Sequence, residues 1–176
     1  MLNSQKFPRL RSGQRGATAV EFGIIAILFF TLFFGIIEFG RFFYMLNTVQ
    51  EVTRCAARQA AVNWSDQWPA IQQQCLFNQN EMVAGWEVGA TDIQLRHLNN
   101  CGDDDVANPG SAADNFVECA NETEDCIRFV EASVQRCDHE GKHCQPVSYQ
   151  PVFGLIRLNV GIPESTVCMP AESLGN

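Results

Sequence analysis

Between Phe22 and Ile37 the chain carries an uninterrupted uncharged run, FGIIAILFFTLFFGII, bulky with Phe22, Phe29, Phe30, Phe33 and Phe34. Taken from Ala17, the apolar stretch spans about 21 residues, enough to cross a hydrocarbon core of about 30 Å as a helix. Beyond it the pattern changes rather than stops. Phe39, Phe42, Leu46, Val49, Thr53, Ala56 and Ala60 recur at alternating steps of three and four. Asn47, Gln50, Glu51, Arg54 and Arg58 lie between them. That is the stripe of an amphipathic helix. The two parts together predict one helix from Ala17 to about Val62, about 69 Å long, of which only about half fits in lipid. The outer stripe must therefore meet either the domain that follows or neighbouring copies. Small residues at Ala19 and Gly23, and at Thr31 and Gly35, would let another helix approach closely. Glu38 and Arg41, three positions apart, share a face and can form an interfacial ion pair.

From Asn63 the periodicity breaks at Ser65-Asp66 and Pro69, where Ser65 or Asp66 would cap a short helix over Ala70–Leu76. Trp64 and Trp68 read as core anchors. In Glu81–Leu98, Trp86 and Val88 alternate around Glu87, and Ile93, Leu95 and His97 alternate with Gln94 and Arg96. Strand pairing across a turn at Gly89-Ala90 follows from that alternation. Asn99–Asn115, with Asn-Pro-Gly at its centre, reads as a loop. Val130, Ala132 and Val134 alternate within Cys126–Cys137, which predicts a strand, with a helix as the rival. Val147 and Tyr149 do the same in Gln145–Pro151, so the two segments make a hairpin across DHEGKHC. Phe153–Val160 is a further alternating segment.

The resulting fold class is α+β: a long N-terminal transmembrane helix extending into a small, disulfide-stapled, strand-rich exported domain. Three regions are expected: a leader over 1–16, the helix over 17–62, and the cysteine-rich domain over 63–176.

Charge sharpens the orientation. Lys6, Arg9, Arg11 and Arg15 precede the first acid, Glu21, whereas the remaining eight cations face all 20 acids. A basic flank ahead of an apolar segment holds that end in the cytoplasm and exports the rest. The acidity of the exported part argues against nucleic acid as a partner. All eight cysteines lie beyond the apolar run, which points to disulfides formed in an oxidising compartment. Their connectivity is open, except that Cys137 and Cys144 flank the predicted hairpin turn and are candidates to be bonded to each other. A cleaved secretory signal is the rival reading of the N-terminus. The apolar run is at the long end for one, and no small-x-small site follows closely. Nor is Cys55 suited to lipid attachment, because Arg54 precedes it.

Catalytic chemistry finds little to work with. Cys137, His139, His143 and Cys144 have zinc-ligand types, but a disulfide would consume the two thiolates, and Gly141 suits a turn. The run Asp103-Asp104-Asp105 lacks the spacing of an EF-hand, since Ala107 stands where an oxygen ligand is needed. No phosphate loop, thiol-redox pair or nucleophile motif is present, and three histidines leave no plausible triad. No metal or cofactor is expected, and the chain does not read as an enzyme.

One motif is left. Gly16 is followed by ATAVEF, so that Glu21 stands five residues past Gly16 and Phe22 comes next. An acid at the mouth of a membrane helix is disfavoured without a compensating role. The arrangement resembles the processing signal of tight-adherence (Flp/Tad) prepilins, and the segment is similar to the TadE-like pseudopilin family. The tail Met169-Pro-Ala-Glu-Ser-Leu-Gly175 resembles the C-terminal motif of some TadE-like proteins. The middle of the chain carries none of this likeness.

The resemblance implies a bacterial inner-membrane protein of single pass, cut between Gly16 and Ala17 by a prepilin peptidase. It also implies packing among other pilin-like subunits under an assembly machinery, with Glu21 neutralising the new amino group. A minor or initiating role fits the chain's size. The competing reading is a periplasmic binding module, tethered by the same helix and never incorporated in a pilus.

Overall fold

The computed structural model of the chain describes residues 15–76, 89–106, 110–138, 143–152 and 161–172. The chain divides into two units, Met1–Phe39 and Gly40–Asn176. One helix, α1, runs over Arg15–Ala60, within two residues of the span expected from periodicity. From Phe22 to Ile37 it is apolar all round. Phe29 stacks on Phe33 and Phe30 on Phe34, with centroids 6.1 and 6.0 Å apart. Thr31 returns its hydroxyl to the Ile27 carbonyl at 2.7 Å, the usual way a threonine hides its donor inside an apolar helix.

In the second unit α1 becomes one wall of the core. Met45, Val49, Val52, Ala56, Ala57 and Ala60 are buried. They share one cluster with Ile71, Ile93, Leu95, Val130, Ala132 and Tyr149. The amphipathic stripe thus meets the chain's own domain. Its small residues matter: three alanines with no exposed surface let the helix backbone lie close to its neighbours. The helix ends where the Asn63 side chain donates to the Gln59 carbonyl at 2.8 Å, satisfying an orphan acceptor of the last turn.

Ser65 and Asp66 do not cap the next helix. They form a 3-10 turn over Ser65–Gln67, and α2 (Trp68–Gln74) starts directly after it with Pro69 in its first turn, where a missing N–H costs nothing. A second 3-10 turn, Ala90–Asp92, leads into β1 (Ile93–Leu98). The segment expected to be loop up to Asn115 instead starts α3 (Ala112–Ala120). Ser111 accepts from the Asp114 amide while Asp114 accepts from the Ser111 amide, a reciprocal cap.

The second expected strand is present as β2 (Phe129–Cys137), so the helical rival is excluded. β1 pairs antiparallel with β2, Ile93 opposite Val134 and Leu98 opposite Phe129. β3 is short, Cys144–Pro146, and pairs with Gln135–Cys137. β4 (Thr166–Pro170) pairs with Phe129–Ser133. Among the described residues, β2 is therefore shared by every strand pair. Its residues Val130 to Val134 are all buried, whereas simple alternation would leave one face wet. The charge this traps is answered across the ladder: Arg96, directly opposite Glu131, donates to its carboxylate. Trp86, Val88 and the expected strand over Phe153–Val160 lie outside the described residues.

Four disulfides tie these pieces together: Cys55–Cys75, Cys101–Cys168, Cys119–Cys126 and Cys137–Cys144. They fasten α1 to the end of α2, the loop after β1 to β4, α3 to the approach of β2, and β2 to β3. For a domain of this size such staples supplement a limited core.

Candidate functional site

Arg15 opens α1, so Gly16 and Ala17 occupy its first turn. A Cβ added at Gly16 would meet no atom within 4 Å. Among the described residues, nothing therefore demands glycine there. Glu21 is four positions after Ala17, hence on the same helical face. Helical Cβ atoms tilt toward the N-terminus, so the Glu21 carboxylate leans back over the turn that Ala17 begins. Phe22 is 72 % exposed, and Val20, Ile24, Ile25 and Leu28 are exposed as well. An apolar surface with one carboxylate near its start is what this end of the helix presents.

Among the described residues α1 is the one helix long and apolar enough to cross a membrane. A helix that is apolar all round requires lipid or other helices about it. Glu38 belongs to the first unit and Arg41 to the second; both lie on α1, about one turn apart.

Cys137 and Cys144 face each other in the β2–β3 register and are bonded. Their sulfurs are thus not available as thiolates for the metal set weighed with His143; His139 lies outside the described residues. Among the described residues no group of three or more His, Cys, Asp or Glu is arranged to hold a metal ion. The aspartate run lies along a polar cleft of about 750 Å³ with Glu122, Glu124 and Asp125. Two of its three members have structural partners: Asn100 donates to Asp103 at 3.0 Å, and Asp105 sits 3.6 Å from Arg96. Burial holds the Asp105 carboxyl above its usual range despite that guanidinium.

Two features are not signalled by the sequence pattern: the indole neighbours of His97, whose alternation with Ile93 and Leu95 does place it on the buried face of β1, and the exposure of α3. His97 is buried against Trp64 and Trp68, with ring centroids 5.2 and 4.4 Å away. Its Nε2 has no hydrogen-bond partner, and burial pushes its pKa down to about 4. The second is α3, which has no buried residue and exposes Phe116 and Val117 by 78 and 54 %. Its inward ties are polar and covalent. Asn115 accepts from the Ile127 amide at 2.7 Å and donates to the Ile127 carbonyl at 3.2 Å, and Cys119 bonds to Cys126.

The family model of the TadE-like protein matches residues 16–58. That span opens at Gly16, contains Glu21, Phe22 and the whole apolar run, and ends two residues before the end of α1. Searches of curated proteins and of solved structures returned no match.

Proposed function

We propose that this chain, TadE-like over residues 16–58, is a pilin-like subunit, minor or initiating, of a tight-adherence pilus. In this reading a prepilin peptidase cuts between Gly16 and Ala17 at the cytoplasmic face of the bacterial inner membrane. α1 holds the subunit in the bilayer with its disulfide-stapled domain in the periplasm. An assembly machinery then draws it out, and the apolar half of α1 exchanges lipid for the helices of other subunits.

The observation that carries the reading is the placement of Glu21 within the matched span, one turn past Ala17. Cleavage would turn Ala17 into a cationic terminus. Glu21, leaning toward it, is placed to neutralise that charge, its own or a neighbour's, inside an apolar bundle. A charge buried in such a bundle without a partner is strongly disfavoured, so the pair also sets the register between neighbouring helices.

The test is Glu21→Ala, followed by comparison of membrane-retained with sheared extracellular protein. The variant is expected to insert normally but to reach the extracellular fraction far less, because removing one member of a buried ion pair costs about 3–5 kcal/mol. A plain tether behaves oppositely, since losing an acid at the membrane mouth is neutral or favourable for insertion. Equal release of wild type and variant removes the assembly role of Glu21.

A further inference from the structure

The third helix is built inside out. Ala113, Phe116, Val117 and Ala120 fall at i, i+3, i+4 and i+7 and are all exposed. They form one continuous apolar face, turned to solvent, while Asn115 and Cys119 attach the opposite side to the domain. This is the signature of a helix that docks in a groove. Its charged flank has a single sign: Asp114, Glu118, Glu122, Glu124 and Asp125 are the only charged residues from Ala112 to Ile127.

A groove of mixed character exists on the same domain. It lies between the outer half of α1 and the approach to β4 and has a volume of about 350 Å³. Leu46 and Val167 are its half-buried apolar walls, Val49 and Ile162 line it but are buried, and Gln50, Arg54, Ser165 and Thr166 make it polar elsewhere. A cavity on the order of 150 Å³ accommodates a benzene ring, so the groove has room for the Phe116 phenyl and its neighbours. Arg54 and Arg58, one turn apart on α1, are exposed. Among the described residues neither forms an ion pair. The opposite rim carries Glu164, which accepts from Gln135. It repels the acidic flank, so the carboxylates of α3 must lie toward α1.

We infer that α3 of one subunit docks its Phe116 face into the α1–β4 groove of a second copy of this chain, with Glu118 directed to Arg54 and Arg58. Ridge and groove are different surfaces of the same chain. The contact can therefore run one way from copy to copy, as a heterologous interface that forms a ring or an open filament, unless two copies exchange it reciprocally about a two-fold axis. Four small and medium side chains make a weak contact by themselves. It acts between subunits already held side by side by their apolar helices, where effective concentration is high, and in that respect it rests on the proposed function.

The experiment places the photocrosslinker p-benzoylphenylalanine at position 116 of the full-length chain, in cells that carry the assembly machinery. Irradiation is expected to give an adduct of two copies, with the cross-linked peptide containing residues 46–54 or 162–167. Glu118 is half-buried and its carboxylate also accepts from the Thr123 hydroxyl at 2.6 Å. Glu118→Arg gives up that bond and should lower the adduct yield about tenfold, the loss of one charge-assisted pair between copies. Reversing Arg54 and Arg58 to glutamate in the same chain should restore it, which no misfolded α3 could do. An adduct with a different protein or lipid, an adduct of two copies at another surface, no adduct, or no rescue by the reversal overturns the inference. Cleavage after Gly16 and extracellular release are scored in the same cells. Loss of the adduct with both intact separates failure of this contact from failure of the pilin reading.

Discussion

Protonation of His97 should control how the second unit, Gly40–Asn176, responds to acid. The imidazole is 4 % exposed, lies between two indole rings and has its pKa lowered from 6.5 to about 4 by burial. The folded state therefore takes up the proton later than the unfolded chain as pH falls. Above pH 6.5 both states are neutral and the residue contributes no pH dependence. Between 6.5 and 4 the unfolded state binds the proton first, so stability declines as the solution is acidified. A tenfold difference in proton affinity is worth about 1.36 kcal/mol. The full loss is then about 3 kcal/mol, of which about 2 kcal/mol falls between pH 7 and pH 5. The comparison is between wild type and His97→Phe, unfolded by urea with disulfides intact, at both pH values. Carboxylates titrate in both proteins and cancel, and any change in baseline stability caused by the phenyl ring drops out of the difference. Wild type should lose about 2 kcal/mol more than the variant on acidification. Equal losses would refute the reasoning, because they would mean His97 is no harder to protonate folded than unfolded.

Two further outcomes concern stability. Asn115→Ala should destabilise the domain by about 2–3 kcal/mol in the same urea assay, since it leaves the Ile127 amide and carbonyl without their side-chain partner. Release of α3 would also speed proteolysis within 112–126. Replacing Cys101 and Cys168 by serine, which opens a loop of 67 positions, should cost about 4 kcal/mol. Replacing Cys137 and Cys144, which close a separation of 7, should cost about 2–3 kcal/mol, because loop-closure entropy grows with the logarithm of length. Thermal melts of the two double variants give the order directly.

What can be read from the residues is what is encoded locally. The span of α1 follows from a long apolar run that grades into a three-and-four stripe, and β1 and β2 follow from alternation. The facing of Cys137 and Cys144 follows from a short turn between two such segments. α3 reads as loop because the stretch before it, Gly102 to Pro109, is acidic and rich in turn formers. Its apolar positions are few and face outward, so no core demand announces them. The reciprocal Ser111–Asp114 spacing and the i, i+3, i+4, i+7 series are the available signals. β4 reads as tail; Thr166 and Val167 are good strand formers, but five residues that end in a proline carry little pattern. Burial of Glu131 is not legible at all, because it depends on which distant elements cover β2; His97 falls on the apolar face of β1 by alternation, but its indole neighbours are set by the fold. The candidate processing site is legible since Gly16, Glu21 and Phe22 lie within seven positions. The groove is not, since Leu46 and Val167 meet only through the fold.

The most direct measurement is the N-terminus of the mature protein, determined by intact-mass and peptide spectrometry on membrane and extracellular fractions from cells with an active prepilin peptidase. The account predicts a chain beginning at Ala17. It also predicts that Gly16→Phe blocks the cut without disturbing the fold, since Gly16 is exposed and a Cβ added there meets nothing within 4 Å among the described residues. Wild-type protein retaining residues 1–16 in those cells would contradict the account and leave α1 as a tether.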